Sequence, residues 1–134
     1  MDVVVLGALV DNGRLLMVHR NETRVNNPNV WDLPGGHVEP GETLRAALRR
    51  ELREELNIDV VSSDDTPILC RPLGEDGVGE RGDLRVVRVR AWQGEPENHC
   101  PSEHDAIGWF SRDELAALRL AAPDELSVLC SLLA

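Results

Sequence analysis

The sequence predicts a single α/β domain in which a mixed β-sheet is flanked by helices. The chain has 134 residues, a length that suits one compact domain with its own hydrophobic core. Its apolar patterns follow the order strand, strand, helix, several strands, helix. That order favours a mixed sheet with helices packed on it, so we expect one domain spanning residues 1–134.

The N-terminal third is predicted to contain three strands and two loops. The first strand is apolar and β-branched, and the turn Asp11-Asn12-Gly13 returns the chain into the second strand. The second loop is dense in Pro and Gly, which indicates unusual backbone angles. The predicted strands are residues 3–10, 14–20 and 31–33, and the predicted loops are residues 21–29 and 33–41.

A helix is predicted over residues 43–56, which contain no Pro or Gly and are rich in strong helix formers. Its apolar residues recur at helical spacing and should face a core, whereas its arginines project to the opposite side. The predicted core residues are Leu44, Ala47, Leu48 and Leu52, and the predicted solvent-facing arginines are Arg45, Arg49 and Arg53.

The second half of the chain is predicted to contain four strands and two short helices. Strands are predicted at residues 58–61, 67–71, 84–92 and 106–110, with a turn at 62–65 and loops at 72–83 and 94–101. Ser111 and Glu114 form a capping box ahead of a helix at residues 115–118. The last helix is predicted to start at Ala122-Pro123 and to pack through Leu126, Leu129, Cys130 and Leu133.

The composition limits which partners the protein could bind and indicates the compartment in which it functions. The formal net charge is −10, which disfavours non-specific binding of nucleic acid, because that binding needs a basic face. Cys70, Cys100 and Cys130 are far apart and form no C-x-x-C pair, so we expect reduced thiols packed as small hydrophobes in a cytoplasmic protein. We expect no signal peptide, because the N-terminus has no basic region and no small-residue cleavage site. We also expect no membrane span, because no apolar run is long enough.

The predicted helix is unusual because carboxylates continue the face that its apolar residues begin. At about 100° per residue, the stripe that starts at Leu44 leads on to Glu51 and Glu55. Glu54 lies on the flank of this stripe. A solvated acidic face is the ordinary explanation, but carboxylates at this spacing repel one another, and burying them together is costly. A divalent metal bound by oxygen ligands would compensate for that cost.

Residues 36–58 resemble the Nudix box, G-x5-E-x7-R-E-U-x-E-E-x-G-U, in which U is a bulky aliphatic residue. The matching residues are Gly36, Glu42, Arg50, Glu51, Leu52, Glu54, Glu55 and Ile58. The sequence departs from the motif at Asn57, where the family has a second glycine. Asn is the next-best residue after Gly for a left-handed helix end, so the departure affects the end of the helix and not the chemistry.

The resemblance implies the α/β/α sandwich of MutT-like Nudix hydrolases and a site for a divalent cation. In this family the matching acids Glu51, Glu54 and Glu55 would be metal ligands, with the Gly35 carbonyl as a further candidate. An oxygen-only site of this kind suits Mg²⁺ or Mn²⁺. Such ions lower the pKa of a bound water and polarise a phosphoryl oxygen, which suits hydrolysis of a phosphoanhydride.

The resemblance adds Arg50 and Glu103 to these acids to give the predicted catalytic set. Arg50 and Glu42 would orient the metal ligands through a salt bridge, although Arg50 could simply be a surface partner of Glu54. A fourth acid often comes from a distant loop in this family, and Glu103 occupies such a place, as a metal ligand, a general base or a solvated acid. The weaker alternatives are Glu75, Glu80, Glu97 and Asp105.

Substrate binding is predicted for five residues in and before the box. These residues are Arg20, Trp31, Gly36, His37 and Glu42. Trp31 and Trp109 could each stack on a base or belong to the core. Arg20 and Arg24 could bind phosphates or be solvated, and His37 could touch a phosphate or point to solvent.

These observations lead to a Mg²⁺-dependent pyrophosphohydrolase that acts on a nucleoside diphosphate linked to another group. Residues 30–39 resemble small triphosphate hydrolases, which favours nucleoside triphosphates, including oxidised ones. ADP-ribose, nucleotide sugars and dinucleoside polyphosphates are alternatives, because loops outside the box select the substrate. A nucleotide-binding module without turnover and a purely structural acidic helix are further alternatives. Small members of the family often pair, so a homodimer is also expected from the resemblance.

Overall fold

Strands of a mixed sheet form the centre of the structure, a computed structural model that describes residues 2–24, 28–73 and 82–133. The strands are β1 Asp2–Asp11, β2 Arg14–Arg20, β3 Trp31–Asp32, β4 Gly35–His37, β5 Asp59–Ser63, β6 Leu69–Leu73, β7 Gly82–Gln93 and β8 His104–Phe110. The helices are α1 Leu44–Leu56, α2 Arg112–Ala117 and α3 Leu126–Ser131, and a 3₁₀ turn at Pro123–Glu125 leads into α3.

Strand β1 organises the sheet, because it pairs with three other strands. It runs parallel to β7, and it is antiparallel to β2 at one end and to β4 at the other. The remaining strands extend this centre: β5 and β6 pair with β7, and β3 and β8 pair with β2. A strand in this position is covered on both faces, which explains why β1 is an almost continuous apolar run.

Two hydrophobic clusters cover the two faces of the sheet and give the predicted α/β/α sandwich. On one face, α1 buries Ala47, Leu48, Leu52 and Leu56 against side chains of β1, β2, β5 and β7. On the other face, Leu115 of α2 and Leu129 of α3 pack on β1, β2 and β7. Each fully buried leucine contributes about 1.5–3 kcal/mol to folding. The predicted fold class is therefore confirmed.

Helix α1 begins and ends where its sequence provides caps. The Oγ1 atom of Thr43 accepts a hydrogen bond from the N–H of Ala46 at the first turn. Asn57 ends the helix in the left-handed conformation, with φ of 56°, and its N–H donates to the carbonyl of Arg53. The position where the family motif has glycine thus keeps the backbone geometry that glycine would supply.

Three predicted boundaries in the sheet are wrong. Residues 35–37 form strand β4 and not a loop, because they pair with β1. The turn predicted at 62–65 is partly strand, because β5 continues to Ser63 along β7 through two register irregularities. Strand β6 begins at Leu69, two residues later than predicted. In the first two cases pairing with a neighbouring strand overrides the local turn signal.

Other differences concern where β7, β8 and α3 begin or end and the exposure of one cysteine. Strand β7 starts before its predicted beginning, β8 starts at His104, and α3 ends at Ser131, so Leu133 lies beyond the helix although it still packs on the core. Cys70 is exposed, contrary to the prediction that all three cysteines pack as hydrophobes. The loop predicted at 72–83 lies mostly outside the described residues, as does part of the loop at 21–29.

The helices in the described ranges are all too short or too polar to cross a lipid bilayer.

Gly35 is required by the close approach of β4 to β1. Its φ is +147°, which residues with a side chain rarely adopt. A Cβ atom at this position would lie 2.1 Å from the carbonyl oxygen of Val5 and 2.7 Å from the Cα of Leu6. Both neighbours are backbone atoms of the central strand and cannot move without disturbing the sheet. Glycine here therefore sets the distance between the two strands.

We predict that Gly35→Ala will lower the free energy of unfolding by roughly 3–5 kcal/mol, a large loss for one substitution, because the added Cβ forces two backbone strands apart. Gly13→Ala is the matched control, because Gly13 also has a positive φ of 71° but no atom within 4 Å of an added Cβ. The control should lose only about 1–2 kcal/mol. Urea denaturation of both variants measures the difference, and equal losses would contradict the role of the close approach.

Candidate active site

Glu55 is the centre of the candidate site. It lies in the last turn of α1 with 4% of its surface exposed. One of its carboxylate oxygens, Oε2, accepts a hydrogen bond of 2.8 Å from the N–H of Gly35. Burial raises the pKa of Glu55 to about 9, against the lowering effect of that hydrogen bond, and the nearby charges of Glu51 and Glu103 raise it further. Without a cation, this carboxyl is therefore largely protonated at neutral pH.

Glu51 lies one turn earlier on the same face of α1 and points at the second glycine of β4. A Cβ atom on Gly36 would lie 2.6 Å from the carboxylate carbon of Glu51, so the absence of a side chain at Gly36 provides the space for this carboxylate. Burial raises the pKa of Glu51, and the hydrogen bond from Arg50 opposes the rise. The two glycines thus have separate tasks: Gly35 allows the strands to meet, and Gly36 makes room for an acid.

Arg50 holds the acid side of the site together. Its guanidinium donates two hydrogen bonds to the carboxylate of Glu42, from Nε at 2.9 Å and Nη2 at 2.8 Å, in a fork. Its Nη1 donates to Oε1 of Glu51 at 2.8 Å, and its Nη2 donates to the carbonyl of His37 at 2.9 Å. The fork and a hydrogen bond from the Glu39 N–H lower the pKa of Glu42 to about 2. Arg50 thereby fixes Glu51 against β4.

Glu54 differs from the other two acids of the helix. Its side chain is 60% exposed, and its Oε2 lies 3.6 Å from Nη1 of Arg50. The prediction that carboxylates continue the buried face of the helix is therefore corrected for Glu54, which is at the open rim of the site. At about 100° per residue, Glu54 and Glu55 point about 100° apart around the helix, with Glu51 between them. The arrangement therefore runs from buried Glu55 through half-buried Glu51 to exposed Glu54.

Glu103 and His104 approach Glu55 from the start of β8. The ligand atoms of Glu55, Glu103 and His104 all lie within 4.8 Å of one another. His104 has 4% of its surface exposed, and burial lowers its pKa to about 4, partly opposed by the charge of Glu103. Its imidazole is therefore neutral at pH 7, next to the carboxyl of Glu55, with Nε2 and Oε1 at 3.9 Å.

His104 is the site residue that sequence reasoning missed. Simple alternation from Ile107, which packs on the α1 face, would place His104 on the opposite face of β8. The pairing of β2 with β8 skips Asp105, since His19 pairs with Ala106 and Arg20 pairs with His104. This β-bulge turns His104 toward α1. A bulge of this kind has no clear signature in a single sequence. The available sequence evidence that this segment belongs to the site was the neighbouring acid Glu103.

Two arginines that were predicted to bind phosphate lie beside these acids. Nη1 of Arg24 is 3.6 Å from Oε2 of Glu103. Burial and the charge of Arg24 lower the pKa of Arg20. The negative charges of Asp32, Glu103 and Glu55 oppose that change. The cluster of acids is thus bordered by positive charge on the side of β2. Phosphate binding by Arg20 stays a prediction.

The other predicted substrate-binding residues lie near the site but outside the group formed by Glu55, Glu103 and His104. Trp31 makes edge-to-face contacts with His19 and Phe110, at ring-centroid distances of 5.0 and 4.8 Å, and packs against the second core cluster. His37 is exposed at the end of β4. Both oxygens of Glu42 already accept hydrogen bonds from protein donors. The binding roles of these residues and of Gly36 stay predictions.

The weaker candidates for a fourth acid have other partners or lie outside the described chain. Asp105 contacts His19 Nδ1 at 2.6 Å, and Glu97 accepts a hydrogen bond of 3.2 Å from Asn57. The remaining two, Glu75 and Glu80, fall outside the described residues. Trp109 stacks on Trp92, with ring centroids 6.2 Å apart, within the core under α1.

The donor set fits a hard divalent cation. Carboxylate oxygens of Glu51, Glu55 and Glu103 are close enough for each charge to raise the pKa of a neighbour, and two of the three carboxylates are at least half-buried. Concentrating like charges in this way is costly without a compensating cation, and oxygen ligands suit Mg²⁺ or Mn²⁺. A ligand role for the Gly35 carbonyl stays a prediction.

Comparisons with known proteins agree with this geometry. The family model described as the NUDIX domain matches residues 1–132. The chain is 37% identical over 116 residues to a protein named putative 8-oxo-dGTP diphosphatase 2 from Mycobacterium tuberculosis, covering 84% of this chain and 75% of that protein. It is 28% identical over 127 residues to the CTP pyrophosphohydrolase of Escherichia coli, covering 91% and 85%.

A solved structure extends the similarity to three dimensions. The MutT NUDIX hydrolase from Burkholderia pseudomallei superimposes with a TM-score of 0.80 at 31% sequence identity, covering 92% of this chain and 93% of that one. The match over nearly the whole chain, the box on α1 and the shared architecture lead to one conclusion. The chain belongs to the Nudix hydrolase family.

Proposed function

We propose that this protein is a Mg²⁺-dependent pyrophosphohydrolase that cleaves nucleoside triphosphates to a nucleoside monophosphate and pyrophosphate. The observation that carries the proposal is the burial of Glu55 with its carboxylate on Gly35 and with Glu51, Glu103 and His104 around it. The names of the two relatives, a diphosphatase for 8-oxo-dGTP and a pyrophosphohydrolase for CTP, support triphosphates as the substrate class.

The cation would be held by Glu51, Glu54 and Glu55 on α1, with Glu103 opposite. A Mg²⁺ ion bound there would lower the pKa of a water molecule and offset charge on the phosphates. The exposed position of Glu54 suits this arrangement, because a carboxylate at the rim can reach an ion that still carries solvent and substrate oxygens.

Residues of this chain would orient the acids before substrate arrives. The Gly35 N–H fixes one oxygen of Glu55, and Arg50 fixes one oxygen of Glu51, which leaves the other oxygen of each carboxylate for the ion. The fork between Arg50 and Glu42 holds the guanidinium itself in place. Such supporting contacts commonly change metal affinity or activity about 10–100-fold when removed.

Glu103 is the proposed proton acceptor. Its side chain is 48% exposed, and it reaches the cluster from the side opposite α1, beside Arg24. From this position it can take a proton from the attacking water and release it to solvent. Arg20 and Arg24 would bind the phosphates, which a protein with a net charge of −10 would otherwise repel.

We further propose a cytoplasmic location and a small-molecule nucleotide as the partner. The three cysteines are free, which suits a reducing compartment. The homodimer and the exclusion of nucleic acid stay predictions from the family resemblance and from the net charge.

A substrate panel tests the proposed function. Canonical and oxidised nucleoside triphosphates, ADP-ribose, a nucleotide sugar and a dinucleoside polyphosphate are incubated with Mg²⁺ in ¹⁸O-water, and products are identified by mass spectrometry. We expect pyrophosphate and monophosphate from triphosphates, with ¹⁸O in one of them. Preferred cleavage of ADP-ribose or a nucleotide sugar would contradict the substrate class, and no cleavage of any compound would contradict the enzyme assignment.

We predict that Glu55→Gln will abolish turnover while stabilising the metal-free protein. The raised pKa means that the folded state binds a proton that the unfolded state loses above its ordinary pKa of 4.5. Stability from this group is therefore complete below about pH 4.5 and is lost as pH rises toward 9. At pH 7 the ionisable carboxyl costs about 3 kcal/mol relative to a neutral isostere.

The measurement is thermal and urea unfolding of both proteins between pH 5 and 8, with and without Mg²⁺. The stability gained by Glu55→Gln should grow with pH, and Mg²⁺ should stabilise the unmodified protein much more than the variant. Glu95→Gln is the control, because Glu95 is exposed in the loop after β7. A variant that is no more stable at pH 8 than the unmodified protein would contradict the burial cost of Glu55.

We predict that Gly36→Ala will reduce kcat/KM about 10–100-fold with little loss of stability, because the added Cβ displaces the Glu51 carboxylate and not backbone. Gly13→Ala again serves as the control and should keep full activity. Steady-state kinetics and urea denaturation give the two quantities. Full activity of Gly36→Ala would contradict the proposal that the space at Gly36 is needed for the position of the Glu51 carboxylate.

A further inference from the structure

Asn21, directly after β2, holds the backbone of the segment that carries Glu103. Its side-chain Nδ2 donates to the carbonyl oxygens of Pro101 at 3.1 Å and Ser102 at 2.9 Å. Its own N–H donates to the carbonyl oxygen of Glu103 at 3.1 Å. One residue therefore binds three successive carbonyl groups, which fixes both the position and the direction of this backbone.

The other end of the same segment is attached to α1. The N–H of Glu97 donates to the carbonyl of Leu56 at 3.1 Å, and the N–H of His99 donates to that of Glu55 at 2.8 Å. Nδ1 of His99 also lies 3.2 Å from the carbonyl oxygen of Glu54. The last carbonyls of a helix have no partner within the helix, so residues 97–99 cap α1 at its C-terminal end.

Residues 97–103 thus connect the end of α1 to the end of β2. Within the segment, Cys100 accepts hydrogen bonds from the N–H groups of Glu103 and His104, which closes a turn. The hydrogen bonds from Asn21 join residues 101–103 to the end of β2. The position of Glu103 relative to Glu55 is therefore set by the cap on α1 at one end and by Asn21 at the other.

Asn21 also sets the charge partner of Glu103. Its carbonyl accepts a hydrogen bond of 3.2 Å from the N–H of Arg24, and the Arg24 guanidinium lies 3.6 Å from the Glu103 carboxylate. The side-chain Oδ1 of Asn21 is buried and has no hydrogen-bond partner among the described residues. A buried acceptor without a partner lowers the net stability that the two donated bonds supply.

We infer that Asn21 is a positioning residue for the reaction: it holds Glu103, through the backbone of residues 101–103, at the distance from Glu55 that the chemistry requires. The inference rests on the proposed function, in which Glu103 accepts a proton beside the metal site. Small displacements of a catalytic group reduce rates strongly, about a hundredfold for 1 Å.

The first test is a kinetic cycle of Asn21→Ala with Glu103→Gln. We expect Asn21→Ala to lower kcat about tenfold with KM changed less than about twofold, because the substrate-binding groups stay in place. In the Glu103→Gln background the same substitution should have little further effect, since its action passes through Glu103. Asn21→Asp keeps the shape but removes both donors, and it should resemble Asn21→Ala.

The second test reads the backbone directly and does not require turnover. Hydrogen exchange of the amides of Glu103 and His104 in the metal-free protein should become faster in Asn21→Ala, while amides of α1 keep their protection. Ser111→Ala is the matched control, because it removes the N-cap of α2 and lowers global stability without touching this segment.

The outcomes separate the inference from the proposed function. Unchanged exchange at Glu103, full activity of Asn21→Ala, or an equal loss in the Glu103→Gln background would each overturn the role of Asn21. Absence of turnover by the unmodified protein on every triphosphate would instead overturn the proposed function, and the exchange measurement would still decide whether Asn21 holds the segment.

Discussion

The burial of one carboxyl group, that of Glu55, is the constraint on which the rest of the site depends. A carboxylate with 4% exposure is costly to ionise, and the hydrogen bond from Gly35 recovers only part of that cost. The fold surrounds this group with the carboxylates of Glu51 and Glu103 and with a neutral His104. The protein therefore keeps a locally unfavourable arrangement that a divalent cation would relieve. Strain of this kind is typical of sites that are organised for a ligand.

The surrounding structure compensates for the free-energy cost of burying Glu55. Strand β4 fits against β1 because Gly35 has no side chain, and the large apolar face of α1 fixes the helix that carries the acids. Arg50 links the helix to β4 and to Glu42, so the acids are held by both the sheet and the loop before α1. The well-packed core thus supplies the stability that the acidic end of α1 gives up.

The sequence predicted the parts of this arrangement that depend on local periodicity. The α1 stripe, its caps at Thr43 and Asn57, and the spacing of Glu51 and Glu55 all follow from helical geometry. The missed features depend on pairing between distant segments. The bulge that turns His104 inward and the strand at Gly35–His37 are set by pairing with neighbouring strands. Such tertiary effects have no signature within a short window of residues.

The parallel pairing of β1 with β7 has a consequence for how the chain is made. Asp2 lies opposite Gly82 and Leu9 lies opposite Val89, so the central strand has no partner on that side until β7 has been synthesised. Contacts between such distant segments slow folding, because the entropy of loop closure is lost before the contacts form. The nascent hairpin of β1 and β2 therefore leaves the ribosome with an unpaired apolar edge, and the residues of the candidate site come together only after β8 has been made.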